Sequence, residues 1–175
     1  QDEEQASIWF RMAAEQGHAQ AQFNLGVYYQ NKSGNGDEDQ IKNALQGERW
    51  YLLAAKQNNA RAQSVLASWY EEDCNINGGN WFQACDRVEF WYRKAAGNGD
   101  AYAQMWIGCN AYIQQRYDEA INWFTEAAKS GHKSFGLSWP GHFRATPQAM
   151  IDACKLFKRG VFDSNDNGDN SVTTV

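Results

Sequence analysis

The sequence predicts an all-α fold, a solenoid of repeated helix pairs, and three observations lead to this prediction. An aromatic pair recurs along the chain, 41 residues from the first copy to the second, 41 from the second to the third and 32 from the third to the fourth. Two alanines and then a Gly or Asn follow each pair at fixed distances. A constant period of this size is typical of solenoids. The four pairs are Trp9-Phe10, Trp50-Tyr51, Trp91-Tyr92 and Trp123-Phe124.

The aromatic pair and the two alanines predict a helix with one buried face. Trp50 and Ala54 are four residues apart, so we expect them to share that face, with Leu53 beside them. Small alanines let a neighbouring helix approach closely while the large ring fills the space beside it.

A tight turn is predicted after each of these helices. The residues that suit a left-handed helix end are Gly17, Asn58, Gly99 and Gly131. Asn59 and Asp100 come next and are good N-caps for a second helix. That helix carries a small residue where it meets its neighbour, at Gly26, Ala67 and Gly108.

The predicted elements therefore follow in order as alternating helices and turns. Residues 33–39 and 75–80 are loops by composition. The last helix has Thr146 as N-cap and Pro147 as its first residue. The predicted helices are 3–16, 18–31, 40–57, 59–72, 81–97, 100–115, one that begins near Tyr117, and 147–159.

The repeated sequence resembles a Sel1-like repeat protein, a relative of the tetratricopeptide repeats. The resemblance rests on Ala-x-Ala-Gln-x-x-Leu-Gly-x-x-Tyr, a variable Gly-rich loop, and Trp-Tyr-x-x-Ala-Ala-x-x-Gly, over about residues 5–131. It implies a right-handed α-solenoid whose concave groove makes protein–protein contacts. It implies no shared catalytic residues.

We expect three parts in the chain. Residues 1–145 form the solenoid, with three to four units of which the first is truncated, because the chain starts within the second helix of a pair. Residues 146–162 form a capping helix, and the polar residues 163–175 form a disordered tail. A trimmed N-terminus leaves the compartment open between cytoplasm and periplasm.

Composition disfavours several classes of function. Sixteen Lys and Arg stand against 21 Asp and Glu, and no basic run occurs, so we expect no nucleic-acid partner. No apolar run is long enough to span a membrane. The sequence has no His-x-x-His pair, no Ser/His/Asp order and no phosphate-binding glycine loop, so we expect no enzyme, metal or cofactor.

The four cysteines lack Cys-x-x-Cys spacing, which disfavours a zinc site. Cys74 and Cys85 flank one loop, so a disulfide and two free thiols both remain open. Cys109 and Cys154 are expected to be buried free thiols. Asp163 opens an EF-hand-like run, but its twelfth position is Thr174 rather than Glu, which disfavours calcium.

Tetratricopeptide geometry, carried over by the resemblance, places the groove at four positions of each first helix. For Phe23, Val27 and Met105 the alternative is packing between repeats. Arg61, Tyr102 and Tyr112 are the expected anchors. The predicted partner-binding residues are Gln20, Phe23, Gln30, Arg61, Ser64, Ser68, Glu71, Tyr102, Met105 and Tyr112, with Val27 and Cys109 at the remaining groove positions.

Glu71, Glu72 and Asp73 place three acids at the predicted end of a helix, where the helix dipole disfavours them. A solvated helix end and a functional role are both open. The predicted function is a bacterial-type adaptor or scaffold that holds a partner peptide or protein surface in the groove. The alternative is a dedicated inhibitor or immunity protein, and a hydrolase is the least favoured. We expect a monomer or a partner-dependent complex.

Overall fold

The computed structural model describes residues 2–33, 38–76, 86–130 and 146–159. Within these ranges the chain forms eight α-helices and no strand. The helices are α1 (Asp2–Glu15), α2 (Ala19–Lys32), α3 (Glu38–Lys56), α4 (Ala60–Ile76), α5 (Asp86–Gly97), α6 (Ala101–Ile113), α7 (Tyr117–Lys129) and α8 (Pro147–Lys158).

These helices confirm the predicted order, and most predicted ends lie within two residues of the observed ones. The predicted end at residue 72 was wrong, because α4 continues to Ile76. Three of the predicted features lie outside the described residues. They are the helical residues 81–85, Gly131, and the tail 163–175 with its EF-hand-like run. The side chains of Cys74 and Cys85 also lie outside the description, so their pairing stays a prediction.

Two types of helix alternate along the chain. We call α2, α4 and α6 the A helices, since each begins with Ala-x-Ala-Gln. We call α1, α3, α5 and α7 the B helices, since each carries the aromatic pair and two alanines. The chain divides into two compact units, Gln1–Ile107 and Gly108–Val175. The first unit holds α1 to α5 and the start of α6.

The turns between B and A helices have the predicted left-handed residue. Gly17, Asn58 and Gly99 have φ angles of 91°, 63° and 87°. Each turn closes with a backbone hydrogen bond across six residues, for example from the Asn59 N–H to the Ala54 oxygen at 3.2 Å. This bond satisfies a carbonyl that the helix end would leave unpaired.

Asn59 and Asp100 are N-caps, as predicted. The Asn59 Oδ1 accepts from the Ala62 N–H at 3.0 Å, and the Asp100 Oδ1 accepts from the Ala103 N–H at 2.9 Å. Both side chains therefore satisfy a backbone donor in the first turn of an A helix.

In the last three aromatic pairs, the second aromatic is fully buried and the tryptophan is only half-buried. Tyr51, Tyr92 and Phe124 are fully buried, whereas Trp50 is half-buried and Leu53 is 37% exposed. Ala54 of the predicted face is buried and Trp50 packs against a core cluster, but the predicted place of Leu53 beside them was wrong because Leu53 is exposed. A shift of one residue turns a helix by about 100°, and the face that packs passes through Tyr51 and the alanines three and four residues later.

The small residues of the A helices allow this packing, as predicted. A Cβ on Gly26 would lie 2.7 Å from the Tyr51 ring, and a Cβ on Gly108 would lie 2.6 Å from the Phe124 ring. Gly47 of α3 also lies against α2, since a Cβ there would come within 3.3 Å of the Gly26 oxygen. Gly47, which the sequence marks only as a weak helix residue, thus brings two backbones together.

The recurring glutamine of the A helices ties each helix pair together and joins neighbouring pairs. Its amide donates to an alanine carbonyl of the preceding B helix, and in Gln22 and Gln63 its oxygen accepts from the next repeat. The bonds to carbonyls are Gln22 to Ala14 (3.0 Å), Gln63 to Ala55 (2.9 Å) and Gln104 to Ala96 (3.2 Å). The bonds between repeats are Gln57 to Gln22 (2.7 Å) and Asn98 to Gln63 (2.9 Å).

Helix α8 belongs to the second unit, and its start has the predicted cap. The Thr146 Oγ1 accepts from the Ala149 N–H at 3.2 Å, and Pro147 is the first helical residue. Cys154 is buried and free, as is Cys109. Within the described ranges, every helix is too short or too polar to cross a lipid bilayer.

Candidate partner-binding face

The predicted partner-binding residues lie on the three A helices. Nine of them belong to the first unit, and Tyr112 belongs to the second. Gln20 and Arg61 are exposed, Phe23 and Met105 are buried, and the other residues are half-buried. The half-buried residues are Gln30, Ser64, Ser68, Glu71, Tyr102 and Tyr112.

Arg61 lies at the start of α4 and reaches across to α2. Its guanidinium carbon lies 5.5 Å from the centre of the Phe23 ring. The Phe23 ring in turn packs against the Tyr51 ring at 5.6 Å. The contact holds the guanidinium of an exposed arginine against the ring of a buried phenylalanine, which limits the orientations that the charged group can take.

Two of the predicted residues contribute mainly to the core. Met105 is 1% exposed and Phe23 is 8% exposed, as in the alternative of packing between repeats. Cys109, at another groove position, is also buried, and burial raises the pKa of its thiol to about 12, with nearby Cys154 adding to the rise. A thiol that stays protonated at neutral pH is a poor nucleophile.

Gln30 accepts a hydrogen bond from the core tyrosine of the neighbouring B helix. The Tyr51 hydroxyl donates to the Gln30 Oε1 at 2.7 Å. Burial raises the pKa of Tyr51 to about 12, so the phenol stays neutral and keeps its proton for this bond.

Glu71 occupies the equivalent place one repeat later. The Tyr92 hydroxyl donates to its Oε2 at 2.9 Å, and the Trp106 indole N–H donates to its Oε1 at 3.0 Å. The Tyr92 and Trp106 rings stack at 4.5 Å, and Tyr102 lies 5.9 Å from Tyr92. Burial, followed by the Tyr102 and Glu71 side chains, raises the pKa of Tyr92.

The position of Glu71 excludes one of the two alternatives for the acidic stretch, the solvated helix end. Glu71 is not part of a solvated helix end, because α4 continues to Ile76 and the carboxylate is half-buried with two donors. Tyr92 and Trp106 were missed as members of this cluster. A spacing of 21 residues separates both Tyr51 from Gln30 and Tyr92 from Glu71, and this repetition in the sequence was the available signal.

In the second unit, Tyr112 packs among aromatic side chains. Its ring centre lies 5.8 Å from that of Tyr117 and 5.7 Å from that of Phe157 on α8. Burial, with smaller effects of Cys154 and Tyr117, raises the pKa of Tyr112. These contacts fix the ring against the last helix.

The Sel1 repeat family model matches residues 1–18, 19–59, 89–100 and 101–132, which together make up more than half of the chain. The chain belongs to the Sel1 repeat family. Sel1 repeat proteins are generally protein-interaction modules, and they typically act as non-catalytic scaffolds. No curated protein matches the chain significantly.

Two solved structures share the fold. One is a protective antigen present in uropathogenic Escherichia coli strains that displays an SLR fold, with a TM-score of 0.60 and 27% identity over 88% of this chain. The other is a Sel1 repeat protein from Oxalobacter formigenes, with a TM-score of 0.59 and 23% identity over 90% of this chain. These matches confirm the predicted all-α solenoid of antiparallel helix pairs. The chain spans 29% and 57% of their lengths.

Proposed function

We propose that this Sel1 repeat protein binds an extended peptide or a surface loop of a partner protein along the A helices of its first unit. The main support for the proposal is the environment of the Arg61 side chain. It is exposed, its guanidinium lies over the Phe23 ring, and it forms no salt bridge with another described residue. An exposed arginine whose guanidinium is held against a ring is well placed to anchor a partner carboxylate.

The composition of the A helices supports the same proposal. Among the residues described, α2 has one lysine, at its last position, and α4 and α6 have none. Protein interfaces are enriched in Tyr, Trp, Met and Arg and depleted in Lys. Arg61 and Tyr102 hold matching second positions in their helices, one repeat apart.

The test is affinity capture from lysate of the source organism, with quantitative mass spectrometry. The wild-type protein is compared with an Arg61→Ala/Tyr102→Ala variant and with Phe90→Ala. Phe90 is 51% exposed on the B helix α5 and serves as the matched surface control. Circular dichroism first establishes that each variant is folded.

We expect a partner that is lost from the double variant and kept by Phe90→Ala. Retention of every partner by the double variant would contradict the proposal. A single partner bound tightly at a 1:1 ratio would narrow the function to a dedicated inhibitor or immunity protein. Several partners bound more weakly would make it an adaptor.

A further inference from the structure

Two tyrosine–acceptor pairs in neighbouring repeats use different acceptors for the same hydrogen bond. Tyr51 donates to the neutral Gln30 at 2.7 Å, and Tyr92 donates to the carboxylate of Glu71 at 2.9 Å. The Tyr51 pair shows that the phenol needs only a neutral oxygen acceptor. The negative charge of Glu71 is therefore not required by the bond that the two repeats share.

The second oxygen of Glu71 accepts from the Trp106 indole at 3.0 Å. Both of its donors are neutral, and a carboxylate has about four acceptor positions on its two oxygens. Among the described residues, no lysine or arginine forms a salt bridge with Glu71. The carboxylate is half-buried, so water solvates its charge only in part.

A half-buried carboxylate without a cation attracts a charged donor more strongly than an exposed one does, because the local dielectric is lower. Tyr102 is half-buried, and its ring lies 5.9 Å from that of Tyr92, which donates to the carboxylate. An aromatic ring next to a carboxylate suits the apolar stem and the charged end of a long basic side chain.

We propose that Glu71 receives a lysine or arginine side chain of the bound partner segment. The inference rests on the proposed function and names the chemistry of its partner. Arg61 precedes Glu71 by ten residues on α4, a distance of about 15 Å along a helix. The partner thus presents a basic side chain about 15 Å from the acidic group that meets Arg61.

The test follows the Trp106 indole proton by two-dimensional ¹H–¹⁵N NMR, because this proton is donated to Glu71. Wild-type protein is titrated with N-acetyl-arginine methylamide and, separately, with the neutral isostere N-acetyl-citrulline methylamide. The Trp106 signal is assigned with Trp106→Phe. Glu71→Gln removes the charge, and Glu72→Gln, at the exposed neighbouring residue, is the matched control.

We expect a saturable shift of the Trp106 signal with the arginine derivative and an affinity at least about tenfold lower for citrulline, as a charge-assisted hydrogen bond requires. The shift should survive Glu72→Gln and vanish in Glu71→Gln. Equal shifts with both derivatives, or a shift that persists in Glu71→Gln, would overturn the inference. The citrulline comparison in wild-type protein keeps this test valid even if Glu71→Gln does not fold.

The two proposals fail separately. In one case the arginine derivative does not bind, while the Arg61→Ala/Tyr102→Ala variant still loses its partner. This result would support the proposed binding face and contradict the proposed role of Glu71. If the arginine derivative binds while that variant keeps every partner, the cation site stands alone and the proposed face is wrong.

Discussion

The A and B helices of the first unit differ in how they use charge. Five of the twelve residues of the B helix α5 are charged, and Arg93 and Glu89 form a surface salt bridge at 2.7 Å. The A helix α2 has only Lys32, and α6 has no charged residue. On the A helix α4, Arg61 is the only charged residue before the acidic run that begins at Glu71. This difference in charge supports the proposal that the partner binds along the A helices.

The largest loss of stability is expected from a substitution at the contact between A and B helices. Tyr51→Ala removes a fully buried ring from between α2, α3 and α4, and we expect a loss of about 3–5 kcal/mol in the free energy of unfolding. Urea denaturation measures this loss. Phe10→Ala is the matched control at the same motif position, and its 36% exposed ring should cost far less. Equal losses in the two variants would contradict the assignment of the core.

The two tyrosine–acceptor pairs should differ in how much their hydrogen bonds stabilise the fold. Tyr92→Phe removes a hydrogen bond to a charged acceptor, and we expect a loss of about 1.5–3 kcal/mol in stability at neutral pH. Tyr51→Phe removes a bond to the neutral Gln30 and should cost about 0.5–1.5 kcal/mol. Thermal and urea unfolding of both variants measure these values. A larger cost for Tyr51→Phe would show that Glu71 adds no strength to its bond.

Alkaline pH acts on the same phenols. The pKa of Tyr51 is raised from an ordinary value near 10 to about 12, so the folded protein keeps a proton that the unfolded chain releases. The stabilisation is complete below pH 10 and is lost as pH rises from about 10 to 12, with a slope of about 1.4 kcal/mol per pH unit for this group. Unfolding measured across this range should show a shallower slope in Tyr51→Phe. An unchanged slope would contradict the burial of the phenol.

The helices and turns followed from the sequence because their determinants are local. Asn58 and Asn59 lie within the turn that they form, and their roles depend on no distant residue. The choice between Trp50 and Tyr51 as the core residue depended on the direction in which α3 faces, and both side chains are large and apolar. The sequence therefore predicted the existence of the helix better than its orientation.

The candidate site was predictable in part. The exposure of Arg61 agrees with its predicted place on the binding face. The environment of Glu71 was not predictable from its own neighbours, because its donors come from positions 21 and 35 residues later. Only packing of successive repeats brings them together. The burial of Met105 likewise depends on packing between helices rather than on its helix position.

Amide hydrogen–deuterium exchange of the protein, alone and with the partner obtained by capture, tests the binding face most directly. Binding along the A helices should slow exchange in α2 and α4 and leave the B helices α3 and α5 unchanged. Slowed exchange confined to α3 and α5 would contradict the account, because it would place the partner on the charged surface instead.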